Sequence, residues 1–281
     1  MRPTSSIAAL PRTAGAVPVH GSARIISWAR VRASYAYWRA QYAKTWRGTA
    51  ISSVAAPVFY LAAMGWGLGS LVDKHGRIDG VRYLAFVGPG LMAATAMQIG
   101  AFESTWPVLG AIKWHRTYHG MLATPLTVDD VLAGHLLWIA TRVGTSSAVY
   151  LAVVAAFGGV GSWWAPAALL GALLTGMAFA APVTAFAATV DNESGFSVLY
   201  RFVVVPLFLF SGTFFPISQL PGWLHPVAYA TPIWHGVQLC RDLTLGRVHP
   251  LLVGVHVGYL LGWIVVGALL ARRTFRQRLV V

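Results

Sequence analysis

The sequence predicts an all-α membrane protein with six transmembrane helices, and three observations carry that prediction. Of 281 residues, 57% are hydrophobic and 10% charged, against about 25% charged in an average soluble domain. Several windows of about 20 residues, the length a helix needs to cross the hydrocarbon core, contain no acid or base. The apolar runs are continuous rather than alternating in segments of about 10 residues. Because backbone polar groups in lipid must be paired internally, such runs are helices and not barrel strands.

Residues 1–22 lack the compact apolar run of a secretory signal, since Pro3, Pro11 and Pro18 interrupt them and Arg12 splits them. They are expected to be a disordered cytosolic lead-in. Residues 23–48 are expected to form an amphipathic interface helix, centred on Ser27–Arg47. At about 100° per residue, Trp28, Val31, Tyr35, Trp38, Tyr42 and Trp46 share one arc, while Arg30, Arg32, Arg39, Lys44 and Arg47 spread over the other side. Such a helix lies along the cytoplasmic leaflet with its aromatic residues at headgroup depth.

The six spans are expected near 50–72, 83–103, 130–157, 164–189, 197–215 and 250–271. Fifteen Lys and Arg residues fall before the first span, after the last and in the even connections, against five in the odd ones. That asymmetry puts both termini in the cytoplasm. It also accounts for most of the net charge of +13, together with attraction to anionic lipid headgroups, so no nucleic-acid partner is required. Gly65 and Gly69 make a small-xxx-small pair suited to close helix packing.

The second connection carries Pro107 and Pro125 around a stretch that can form a short cytosolic helix, Val108–Leu122. Thr127 and Asp130 have the spacing of a capping box at the start of the next span. The short helix is either an ordinary interfacial element or a docking element for a cytosolic partner. Further on, Leu209–Val227 holds three prolines and two glycines but no charge, too apolar for a surface loop and too broken for a span. Proline and glycine at membrane depth are tolerated where the backbone is buried in protein or lines a cavity.

Arg142 lies about a dozen residues into the third span, near mid-bilayer in a straight helix, where an arginine costs about 2.5–3.5 kcal/mol and so faces the bundle. No acid within a span is an evident partner, Glu103 being nearer the cytosolic end. Two roles stay open for it, hydrogen bonding to backbone carbonyls or contact with an anionic substrate group. Enzymatic signals are poor. His115 and His119 could share a helical face, but no Glu follows the first as a zinc-protease helix requires, and no metal site is expected. No G-x-x-x-x-G-K-[ST] loop is present, so the chain holds no ATP of its own. Cys240 is the sole cysteine, which excludes an intrachain disulfide. A membrane enzyme acting on lipid headgroups would need clustered acids near one interface, and Asp129, Asp130, Asp191 and Glu193 are the cytosolic candidates.

Two stretches, "RTYHGMLATPLTVDDVLAG" (Arg116–Gly134) and "LFLFSGTFFPISQLPGWLHPVAYATPIWHGVQLCRDL" (Leu207–Leu243), resemble the two hallmark regions of ABC-2 type transporter permeases. The nearest branch is that of lipooligosaccharide (nodulation-factor) exporters and daunorubicin-type resistance permeases. The resemblance runs from about Trp28 to the C-terminus and makes 49–281 the transmembrane domain. It implies a multi-pass protein of a bacterial cytoplasmic membrane that exports an amphipathic substrate. It also implies that the short cytosolic helix is a coupling helix, with Lys113, Arg116, Thr117, Tyr118, Met121, Leu122 and Pro125 forming the contact with an ATPase or its immediate frame. The sequence departs at His119–Gly120, where relatives commonly carry an acid. Between spans five and six the resemblance implies re-entrant helices closing the extracellular end, built on Phe214, Phe215, Pro216, Pro221, Trp223, Pro226, Pro232 and Trp234. The partners it implies are two ATPase subunits carrying ATP and Mg2+, a second copy of the chain or a paralogue, and membrane lipids.

Overall fold

The computed structural model describes residues 26–280; the expected lead-in at 1–22 lies outside them. In order, the chain forms α1 (Trp28–Tyr42), α2 (Trp46–Lys74), α3 (Tyr83–Trp114), α4 (Thr117–Leu122), α5 (Val128–Ala156) and α6 (Ala165–Ala187). It continues with α7 (Ser194–Phe210), α8 (His225–Tyr229), α9 (Pro232–Leu245) and α10 (Pro250–Leu279). Five of these, α2, α3, α5, α6 and α10, are long and apolar enough to span a membrane. The window expected at 197–215 is instead the 17-residue α7, about 26 Å long at ~1.5 Å per residue. It stops because Ser211 and the left-handed Gly212 (φ 77°) turn the chain out of the helix.

α6 is the hub, packed against α3, α5, α9 and α10. Small residues let it approach its neighbours backbone to backbone. A Cβ on Gly100 of α3 would lie 2.2 Å from the Gly176 carbonyl oxygen, and one on Gly236 of α9 would lie 2.0 Å from Thr175 Oγ1. A Cβ on Gly267 of α10 would fall 2.5 Å from the Pro182 ring. The Gly65–Gly69 pair lets α2 approach the start of α3 closely, as its spacing suggests, and it falls at a wide turn, Ala63–Leu68, inside α2. There a Cβ on Gly69 would press on the chain's own Met64 carbonyl at 3.0 Å, while Gly65 sits against the Leu84 side chain.

The interface helix departs from expectation in two ways. It ends at Tyr42, and a turn at Ala43–Thr45, closed by Thr45 N–H to Tyr42 O (2.9 Å), sets α2 off as a separate helix. The inner half of its aromatic arc packs against α5. Val31 and Ser34 are buried, Tyr35 and Tyr42 lie 6.2 and 5.3 Å from the Trp138 ring of α5, and Trp38 lies 4.5 Å from His135. These half-buried aromatic side chains pack on α5, and Gly134 provides the space for the approach, because a Cβ there would strike Ser34 at 2.5 Å. Trp28 and Trp46 remain exposed.

Candidate functional site

The expected short helix Val108–Leu122 is broken in two. Residues Trp106–Trp114 extend α3, whose last bond runs from His115 N–H to Gly110 O (2.8 Å). Arg116 then adopts a left-handed conformation (φ 48°), the usual way to stop a helix, and the chain reverses into α4. Lys113, Trp114, His115, Arg116, His119 and Pro125 are exposed at this tip, with Thr117, Met121 and Leu122 half-buried. Tyr118 is fully buried among Trp38 (6.1 Å), His135 (6.0 Å) and Phe275 (5.5 Å). Burial, aided by nearby Tyr37, pushes its phenol well above the usual value. It therefore braces the tip from behind and presents nothing outward. Trp114 is an exposed apolar residue that was not among those expected at the contact, and its place between two prolines and beside two cations, Lys113 and Arg116, was the available signal.

Three carboxylates hold the tip in place. The capping box forms as expected: Asp130 N–H donates to Thr127 Oγ1 (3.2 Å), and the Asp130 carboxylate accepts from Thr127 N–H (3.0 Å). That carboxylate also takes Arg30 Nε at 2.6 Å and Ser27 N–H at 3.2 Å, tying α1 to α5. Asp129 receives Arg272 (2.9 Å) and Arg276 (2.6 Å) from the end of α10. Asp191 is paired with Arg278, whose hydrogen bond lowers its pKa, and its backbone carbonyl accepts from Lys113 Nζ at 2.7 Å. Three of the four acids available to a headgroup enzyme are thus committed to cations. Among the described residues no three His, Cys, Asp or Glu gather as a metal would need.

Arg142 has the acidic partner that the sequence reading did not find. Its Nε donates to Glu103 Oε1 at 3.1 Å, and its guanidinium lies 4.4 Å from the Tyr42 ring centroid. α3 and α5 pack side by side, and their register brings Arg142, midway along α5, level with Glu103 at the last residue of α3's first helical segment, before the turn at Ser104–Thr105.

At the opposite end, Leu209–Val227 is a chain of short turns. Pro216 and Pro221 precede single 3-10 turns at Ile217–Gln219 and Gly222–Leu224, Pro226 lies at the start of α8, and Pro232 opens α9. Each proline occupies a first-turn or preceding position, where its missing N–H costs nothing. Phe214 packs edge-on to Phe208 at 5.2 Å, Phe215 is half-buried, Trp223 is 74% exposed, and Trp234 packs on Tyr229 at 4.7 Å. Arg241 of α9, counted in the sequence only as an extracellular charge, is buried and holds this segment down. It donates to Gly212 O (2.8 Å), Phe86 O (3.1 Å) and Gln238 Oε1 (2.7 Å), and lies over the Phe86 ring at 3.8 Å. His235 Nδ1 and His256 Nδ1, 2.8 Å apart, fasten α9 to α10.

This arrangement, a long-helix bundle with a rigid tip at one end and a proline-broken cover at the other, can be compared with known proteins. The sequence profile of the "ABC-2 type transporter" family matches residues 32–245, well over half of the chain. The chain belongs to the ABC-2 type transporter family. Nodulation protein J of Rhizobium meliloti (strain 1021) is 35% identical over 254 residues, covering 87% of this chain and 93% of that protein. Nodulation protein J of Rhizobium leguminosarum bv. viciae is 35% identical over 253 residues, with 87% and 94% covered. The Inner membrane transport permease YadH of Escherichia coli (strain K12) is 23% identical over 229 residues, with 78% and 84% covered. This permease is accordingly a multi-pass, non-catalytic membrane subunit, and it carries no phosphate-cradling loop.

Proposed function

We propose that this permease is the membrane-spanning half of an ATP-driven exporter. It moves an amphipathic molecule, a lipooligosaccharide-like glycolipid or a lipophilic drug, from the cytosolic leaflet outward. The observation that carries the reading is the tip at Lys113–Pro125, exposed outward and braced inward by buried Tyr118 and the Asp129, Asp130 and Asp191 ion pairs. A rigid, cationic and partly apolar protrusion suits force transfer from a second protein. Two ATPase subunits, holding ATP and Mg2+, seat on two such tips, supplied by two copies of this chain or one copy and a paralogue. Lys113, Arg116, Thr117, Met121, Leu122 and Pro125 make the contact or its rim, and Tyr118 supports it.

In this reading α7 is the fifth span, and Ser211–Tyr229 folds back as the outer gate, with Trp223 and Trp234 marking the outer interface. α2 and α7 expose apolar side chains such as Ile51, Phe59, Phe202 and Phe210, as helices flanking a path between two protomers would. Both termini are cytosolic. Purification with and without the ATPase tests the reading. Vanadate-sensitive hydrolysis stimulated by cargo is expected only in the complex. Cargo moving at full rate in vesicles lacking the ATPase, or lipid product formed by the isolated chain, overturns it.

A further inference from the structure

Between the end of α1, the start of α2, α3 and α5 opens a cleft of about 680 Å³ at the Lys- and Arg-rich end of the bundle. Two features mark it. Along Tyr83–Glu103 of α3 only Gln98 and Phe102 are exposed, and both, one turn apart, line the cleft. Gln98 makes no hydrogen bond among the described residues. The second feature is charge. Arg142 is paired with Glu103 at 3.1 Å, whereas Lys44, on the turn joining α1 to α2, meets no acid among the described residues and has its Nζ 3.4 Å from Gln41 Oε1. One positive charge is left over in the lining.

That surplus, set beside an apolar wall, fits an anionic amphiphile. A phosphate accepts from the Lys44 ammonium, while Arg142 offsets the Glu103 carboxylate. Gln98 lies ~7.5 Å deeper along α3 than Glu103, on the side where glycerol ester carbonyls lie beneath a phosphate, and its amide donates to one of them. Ile99, Phe102 and Trp138 line the path of an acyl chain. A zwitterionic lipid brings a cation of its own to Lys44 and loses the charge advantage. A soluble phosphate leaves Gln98 and Phe102 uncovered. We propose that this cleft is a binding site for one anionic phospholipid of the inner leaflet, held by Lys44 at the phosphate and by Gln98 at an ester, which fastens the α1–α2 turn to α3. The lipid is a resident ligand and not the cargo, so the site does not depend on what the permease exports.

The test uses the full chain in micelles of an uncharged polyoxyethylene detergent and a phosphatidylglycerol probe with a diazirine in its acyl chain. Light-driven cross-links are expected on Ile99, Phe102 or Trp138. Unlabelled phosphatidylglycerol should displace the probe about tenfold better than phosphatidylcholine, the worth of one charged hydrogen bond. Lys44→Gln should bring the two lipids level while cross-linking in the cleft still saturates, a selective loss that misfolding does not produce. Arg32 is an exposed cation of α1 outside the cleft, and Arg32→Gln should leave the preference intact. Gln98→Leu should weaken both lipids alike. Phosphatidylglycerol should also slow amide exchange at residues 43–49 in the unaltered chain and not in Lys44→Gln. Equal competition by the two lipids in the unaltered chain, cross-links elsewhere, an equal loss of preference in Arg32→Gln, or displacement by glycerol 3-phosphate as strong as by phosphatidylglycerol overturns the proposal.

Discussion

Replacing Arg241 with Met should release the broken segment while leaving the bundle folded. The guanidinium donates to Gly212 O, Phe86 O and Gln238 Oε1 at 2.8, 3.1 and 2.7 Å. Phe86 O also lies in the helical ladder of α3 and keeps a donor after the change, whereas Gly212 O sits in irregular backbone and depends on Arg241. A buried acceptor left without a partner costs about 1–3 kcal/mol, and loss of the second charged hydrogen bond and the ring contact adds to that. The local total is about 2–4 kcal/mol. The same substitution returns the cost of burying a guanidinium, so overall stability moves less than the local figure. Opening of Ser211–Leu220 should then become about 30- to 1,000-fold more frequent. Hydrogen exchange in nanodiscs, read by mass spectrometry, measures it: amides of residues 211–220 should exchange faster by at least the lower factor, with the α3–α6 core unchanged. Arg241→Lys, which keeps charge but lacks the fork, should fall between. Unaltered exchange at 211–220 in the Met variant would refute the anchoring argument.

Leu122→Asp should reduce ATPase co-purification at least about tenfold without lowering thermal stability, whereas Tyr118→Asp should unfold the tip, because it buries a charge at a fully enclosed position; co-purification and melting curves of both variants separate the two. In a Cys240→Ala background, Ser218→Cys should label with impermeant maleimide from outside the cell and Thr124→Cys only after the membrane is opened; labelling of both from one side contradicts the topology. The Asp191 carboxyl is held low by its hydrogen bond to Arg278, so its contribution is present above the unfolded pKa of about 4 and disappears as pH falls through the lower folded value. Protection factors around residues 188–194, measured exchange corrected for the intrinsic rate at each pH, should therefore stay constant from neutral pH to about pH 4 and fall only below it.

Much of the architecture was legible in the sequence because membrane helices announce themselves by length and lack of charge. Capping also has a fixed spacing, as Thr127 and Asp130 confirm. What escaped was set by relations between distant segments. The pairing of Arg142 with Glu103 depends on the register between α3 and α5, which no single window reveals. The direction of Tyr118 was hidden because a six-residue helix has too few turns to define a face, and its inward side is fixed by Trp38 and Phe275, residues far away in the chain. Arg241 looked like a topology marker because charge counting treats every arginine as solvated. The aromatic arc of α1 was correctly seen as a face, but periodicity cannot say whether lipid or α5 covers it.

The near-contact of Gly100 with the Gly176 carbonyl leaves no layer of side chains between α3 and α6 to act as a lubricant. Two rods seated that closely cannot slide or roll without a steric collision, so they travel as one block through any transport cycle. A bulky residue at either glycine would wedge the block apart and jam the cycle rather than merely weaken the fold.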